Sequence, residues 1–221
     1  MTILKYHQKS LELISYQTEF NSEAYPYLPP SVSEWFSLTK GVEILTKYSN
    51  QDVPVSPDKF QPSKFKDKNL SIFMYENQRV VCWAFENSHN EDPPVYINYD
   101  PPENNFSEEV ASEEYCFVIQ EKFSSFVYKW IFDHFHWYEE DLFLIRSLAK
   151  PIHSEALELL NREFTKEPFD FSNSGEIIVY RFSKNDQKIL ITNGKEKFQW
   201  QFSADTNESV NNLYEKFNYL F

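Results

Sequence analysis

Glycine is nearly missing from this 221-residue chain, with Gly41, Gly175 and Gly194 the only three. They lie too far apart to build the loops that cradle a phosphate or a dinucleotide, which need several Cβ-free positions together. A Gly-x-Ser-x-Gly nucleophile elbow is excluded for the same reason. Cysteine is scarce too. Cys82 and Cys116 have no Cys-x-x-Cys spacing and sit among apolar neighbours, which predicts reduced, buried thiols rather than a redox or metal pair. Long apolar runs are absent: Val80-Val81-Cys82-Trp83-Ala84-Phe85 falls far short of the ~20 residues that span a bilayer. The opening Met1 to Lys9 lacks the apolar stretch of a secretion signal. A cytoplasmic protein without membrane association is expected.

The remaining scarcity is positive charge, and it is regional. The net charge is −13. Residues 1–75 balance 8 acids with 8 bases, and residues 142–221 hold 11 acids and 10 bases. Residues 76–141 hold 15 acids against Arg79, Lys122 and Lys129, with no Lys or Arg between Arg79 and Lys122. Such a balance disfavours nucleic acid and anionic membranes and draws in a basic partner. What the chain has in plenty is aromatic: 21 Phe, 14 Tyr and 5 Trp. Stacking on bases would need a basic groove beside those rings. Without one, they are read as core.

Ten of the twelve prolines lie between Pro26 and Pro102, so the first half should be rich in loops. A helix is expected over about 7–20. A second is marked by Ser31 and Glu34 in capping-box spacing, with Gly41 as its left-handed terminator. Strands are expected at Leu70–Tyr75, Val80–Phe85, Val95–Tyr99 and Tyr115–Gln120, then a helix from about Phe123 to His136. A helix at about Ile152–Phe164 precedes three strands, Ile177–Phe182, Lys188–Thr192 and Phe198–Phe202. The last alternates strictly, with Phe198, Trp200 and Phe202 on one face. Asn193-Gly194 is a type I′ hairpin signal. Asp205 and Glu208 open a final helix with Val210, Leu213, Tyr214 and Phe217 on its apolar side. The expected class is α+β with mostly antiparallel pairing, ending in a three-stranded meander plus helix. Residues 1–139 form one α+β region, and 140–221 either a separate subdomain or the completion of the same domain.

Chemistry is hard to find in these residues. On one helix Asp133, His136 and Glu140 could share a face, whereas His134 and His136 point about 200° apart. There is no HExxH pattern, and the aromatic neighbours point to a packed helix end with an acidic turn. Adjacent acids such as Glu108-Glu109 and Glu113-Glu114 are ordinarily solvated and ionised, whereas acid catalysis needs a carboxyl raised by burial. Neither a catalytic constellation, a metal site nor a cofactor is expected. The acids Glu103, Glu108, Glu109, Glu113 and Glu114, with Glu139, Glu140 and Asp141, form the candidate partner-binding set. They read either as a solvated, solubilising stretch or as part of a surface that docks a basic protein.

Five segments in order resemble the SUKH superfamily. Leu28-Pro29-Pro30-Ser31 with Glu34-Trp35-Phe36-Ser37-Leu38 resembles its opening helix, and Phe73-Met74-Tyr75-Glu76-Asn77-Gln78 its strand ending in Glu-Asn-Gln. Trp83-Ala84 and Asp92-Pro93-Pro94-Val95-Tyr96 are similar to the following strand and its Asp-Pro-Pro-Val step. Phe123-Ser124-Ser125-Phe126 with Trp130 resembles the helix beyond. The likeness runs over about 25–135 and leaves 140–221 to pattern alone. It implies a twisted, mainly antiparallel sheet flanked by helices, no catalysis, and binding of a protein partner. Bacterial members are typically immunity proteins that neutralise a cognate toxin, often a nuclease. Because nucleases commonly present a basic surface to phosphate, an acidic stretch can compete for it. The alternative implied role is a regulatory scaffold that binds housekeeping partners.

Overall fold

A computed structural model describes residues 4–14, 19–21, 25–49, 51–99, 115–134, 145–167, 170–171, 178–193 and 197–220. The chain divides into two compact units, Met1–Tyr138 and Glu139–Phe221. Each holds its own antiparallel sheet with helices, so the class is α+β.

The first unit begins with α1 (Gln8–Leu13), α2 (Pro30–Phe36) and α3 (Gly41–Lys47). Its strands are β1 (Val53–Pro54), β2 (Gln61–Phe65), β3 (Lys68–Tyr75), β4 (Cys82–Glu86), β5 (Val95–Asn98) and β6 (Cys116–Gln120), followed by α4 (Phe123–His134). The order is β1-β3-β4-β5-β6, with β2 also pairing β3. The helices bury Trp35, Phe36, Phe123, Phe126 and Val127 against Phe73, Trp83, Phe85, Val95 and Ile97 on one side of the sheet. Rings meet edge to face there, Phe73 with Phe123 at 5.3 Å and with Phe126 at 5.5 Å, the arrangement aromatic quadrupoles favour. The sheet's other side buries Leu70, Ile72, Cys82, Ala84, Tyr96 and Cys116.

Three expectations fail here, each for a local reason. The first helix stops at Leu13 instead of about residue 20. Backbone at 19–21 is captured by 37–39: Asn21 N–H donates to Ser37 O and Thr39 N–H to Glu19 O, both at 3.0 Å, and Phe20 bridges Leu38. The capping box does not form. Pro30 already occupies the first helical position of α2, where its missing N–H costs nothing, and Ser31 makes no cap bond. Gly41 is not a left-handed terminator but the first residue of α3. A Cβ there would sit 2.3 Å from the Trp35 carbonyl oxygen, so the glycine serves close approach. The short strands β1 and β2 were not expected because they contain Pro54 and Pro62. Proline is tolerated at a sheet edge, where no ladder bond needs its N–H.

The second unit comprises β7 (Ile145–Lys150), α5 (Ser154–Glu163), β8 (Thr165–Lys166), β9 (Asp170–Phe171), β10 (Ile178–Lys184), β11 (Gln187–Asn193), β12 (Phe198–Ser203) and α6 (Asn207–Asn218). The meander β10-β11-β12 is present, extended by β7 beyond β12 and by β8 and β9 along β10. Trp200 and Phe202 are fully buried, as the alternation predicts, under Val210, Leu213 and Phe217 of α6. The Phe217 ring lies 5.8 Å from Trp200 and 5.6 Å from Phe202. Thr206, one residue after the expected Asp205, caps α6 by accepting the Ser209 N–H at 3.1 Å. The two-residue turn at Asn193-Gly194 does not form, since Asn193 pairs with Phe198. That register keeps Trp200 opposite Ile191 and Phe202 opposite Ile189. The tight hairpin is instead at Asn185-Asp186, flanked by the pair Lys184 and Gln187.

Candidate partner-binding surface

All eight acidic candidates, Glu103, Glu108, Glu109, Glu113, Glu114, Glu139, Glu140 and Asp141, lie outside the described residues. The entry and exit of the first group are described. The segment leaves β5 at Tyr99 and returns into β6 from Tyr115, where Tyr99 N–H donates to Tyr115 O at 2.9 Å. Both tyrosines are exposed, 51% and 44%. Five of the eight candidates therefore fall in the sequence that connects two neighbouring strands.

The described acids of the same region hold the fold together. Glu86 accepts from Lys68 Nζ at 2.7 Å and from Tyr96 Oη at 3.1 Å; the bond to Glu86 raises the Lys68 pKa. Glu91 accepts from Lys5 Nζ at 2.6 Å and Tyr6 Oη at 2.8 Å, and the Lys5 bond lowers its pKa. Asp92 accepts from the Ser124 N–H at 2.9 Å and hydroxyl at 2.6 Å. It thereby supplies from outside the helix the anion that the first turn of α4 favours. Glu76 accepts the Gln78 N–H at 2.7 Å and shapes the β3–β4 turn, in which Arg79 takes φ 61°.

A buried polar knot ties the motif segments to one another. The Glu34 carboxylate accepts three backbone N–H groups, those of Lys5, Tyr6 and His7, each at 2.8 Å. His7 is fully buried and donates from Nε2 to Ser31 O at 2.8 Å. Its ring sits edge-on to Trp35 at 5.0 Å and Phe123 at 5.9 Å. Burial pushes its pKa down to about 4, because a cation there would be stripped of water. Ser31 N–H in turn donates to Glu91 O at 2.9 Å. The Leu-Pro-Pro-Ser, Asp-Pro-Pro and Phe-Ser-Ser segments thus meet at the start of the chain. None of these partners is within 20 residues of the other in sequence, so no local pattern could have indicated them.

Two clefts are described in the first unit. One, about 710 Å³, is lined in part by Lys5, Tyr6, Glu91, Asp92, Lys122 and Ser124, and the polar bonds above engage all of these but Lys122. The other, about 570 Å³, lies between Val53, Val55, Phe60, Gln61, Tyr75 and Arg79. There the Arg79 guanidinium lies over the Tyr75 ring at 5.5 Å and Tyr75 Oη donates to Gln61 Oε1 at 2.5 Å. Burial pushes the Tyr75 phenol up to about 12.

Of the residues weighed for metal binding, Asp133 is on α4, while His136 and Glu140 lie outside the described residues. Among the described residues no three of His, Cys, Asp and Glu converge as ligands. His134 Nδ1 bonds the Trp130 carbonyl at 2.9 Å, and its ring lies against that indole at 4.5 Å. Cys82 and Cys116 are buried and unbridged, on strands either side of Asn98. Burial raises their thiols to about 12 and about 11. Among the described residues no helix is long and apolar enough to cross a membrane. No protein-family model, curated protein or solved structure matches the chain.

Proposed function

We propose that this chain is a SUKH-type immunity protein: a non-enzymatic cytoplasmic binder that neutralises a cognate basic protein toxin of the nuclease type. The observation that carries the reading is the concentration of charge, 15 acids against three bases in residues 76–141, within an otherwise balanced chain. The order of the five SUKH-like segments supports it. So does the way three of them share one polar knot, which makes them architectural and leaves partner choice to the surface. Collective steering by such a field raises association rates ~10–1000-fold and weakens with salt.

The test starts with capture from the native lysate and identification of a basic toxin, followed by co-expression. Growth rescue by this chain supports immunity. Capture of several unrelated housekeeping proteins without rescue would replace it with the scaffold reading. With the toxin in hand, reversing Glu108, Glu109, Glu113 and Glu114 together to Lys should slow association at least tenfold at ~0.05 M salt, the fold remaining intact. Single reversals should do little, because exposed pairs contribute ~0–1 kcal/mol each. A quadruple variant that associates as fast as wild type removes these glutamates from the interface.

A further inference from the structure

The first sheet has two edges of different character. Along one, β1 and β2 carry Pro54, Pro62 and Lys64, the residues that ordinarily blunt an edge against further pairing. The other is β6, Cys116-Phe117-Val118-Ile119-Gln120, with neither a charge nor a proline. The second sheet ends on β7, with Arg146 and Lys150, and on the two-residue strands β8 and β9. Among the described strands β6 is the one unguarded edge.

Ladder geometry fixes which of its backbone groups face outward. In an antiparallel pair, alternate residues exchange both hydrogen bonds with their neighbour and the residues between point away. Tyr99 bonds Tyr115, so 99/115 and 97/117 are bonded pairs and 98/116 is not. The opposite side of β5 agrees. Glu86 N–H donates to Pro94 O, which makes Ala84/Tyr96 a bonded pair and directs Tyr96 toward β4. Its β6 neighbour Val118 is left facing outward. Cys116 and Val118 thus present N–H and C=O along the free side, and among the described residues nothing bonds them there. The exposed Tyr99 and Tyr115 stand at the head of this edge. Aromatic residues with a polar tip are enriched where partners bind.

We propose that the β6 edge accepts an added strand from a cationic partner, an extended segment bearing Lys or Arg, through the backbone groups of Cys116 and Val118. This is strand addition. Charge complementarity selects the occupant: from 80 to 121 the sequence holds ten carboxylates and no Lys or Arg. Pairing with a second copy would instead bring two chains of net charge −13 together. The proposal rests on the toxin-binding reading only for the partner's positive charge.

The probe is a capped nine-residue peptide alternating Lys and Val, with a control of equal charge in which Pro replaces alternate Val. The readout is residue-resolved amide exchange of the full chain at ~0.05 M salt. The alternating peptide should slow exchange at Cys116 and Val118 at least tenfold. The control should bind at least tenfold more weakly, and ~0.5 M salt should release both. Val118→Pro removes an outward N–H and no ladder bond, so it should abolish the protection with the circular dichroism unchanged. If that variant misfolds, the wild-type exchange decides alone. Binding without protection at 116 and 118 overturns the edge while leaving a basic partner standing, and equal binding of both peptides does the same. No binding of either peptide, or peptide-independent dimerisation protecting these amides, overturns the proposal. Failed toxin neutralisation is a separate result and bears only on the immunity reading.

Discussion

In the first unit, carboxylates reaching across the sequence fasten the starts of helices that an aromatic core also packs on the sheet. In the second, a row of alternating apolar residues fastens them to a sheet. Glu34 and Asp92 each hold the start of a helix or segment that is 27 or more residues away. The second unit relies on Trp200, Phe202 and the α6 stripe. At its surface Glu163 accepts from Lys216 and pairs with Lys184 at 3.9 Å, while Arg181 and Lys188 are buried. Each unit is therefore vulnerable in its own way. A sheet closed by aromatic burial alone fails through cavities, whereas the first unit, which adds a polar knot to such burial, fails also through lost acceptors and through acid.

The largest effect should come from Trp200→Ala. Its ring is fully buried, and truncation should cost ~3–5 kcal/mol, read as a lowered midpoint in denaturant. A loss below ~1 kcal/mol would mean the second unit does not depend on this row. Next is acid. His7 keeps a pKa of about 4 in the fold, against ~6.5 when unfolded. The unfolded chain therefore takes up a proton that the folded one refuses. Stability is full above pH ~6.5 and falls by on the order of 3 kcal/mol as the pH drops through about 4. His7→Phe should flatten that decline, measured as the denaturation midpoint from pH 7 to 4. Third, Glu34→Gln keeps the shape but sets a neutral amide before three N–H donors, at a cost of about 2 kcal/mol. Amide exchange should then speed first at residues 5–7. Smallest is a gain. Lys66 and Asn185 sit in left-handed turns, one per unit, at φ 55° and 54°. Lys66→Gly should add about 0.5–1 kcal/mol, and Asn185→Gly less, because Asn tolerates that region better than Lys. Equal gains would remove the distinction.

The same contrast explains what was legible in the sequence. Strict alternation around Trp200 and a 3.6-residue stripe in α6 are local, and both elements could be read directly. So could β3 to β6 and α4. The polar knot was not, because its members are joined only by the finished fold: Glu34 three residues after Ser31 imitates a capping box while its carboxylate serves residues 5–7. Gly41 invited a conformational reading, yet its role is space beside the Trp35 carbonyl. The left-handed turns that glycine would ordinarily fill went to Lys66, Arg79 and Asn185. Composition placed the acidity, while the β6 edge, open among the described strands, is a property of strand order.

The two thiols add a clock. Cys82 and Cys116 lie on β4 and β6 with Asn98 of β5 between them. Two strand spacings, about 9–10 Å, exceed the Cα separation a disulfide accepts, about 4.4–6.8 Å. An oxidant cannot join them while the sheet is intact. Both are buried on the same side of the sheet, and among the described strands Cys116 belongs to one with a single neighbour, the first to lift away. Under a fast thiol reagent the two should therefore react in sequence, Cys116 before Cys82. The interval between them times how long the sheet persists with its last strand undone.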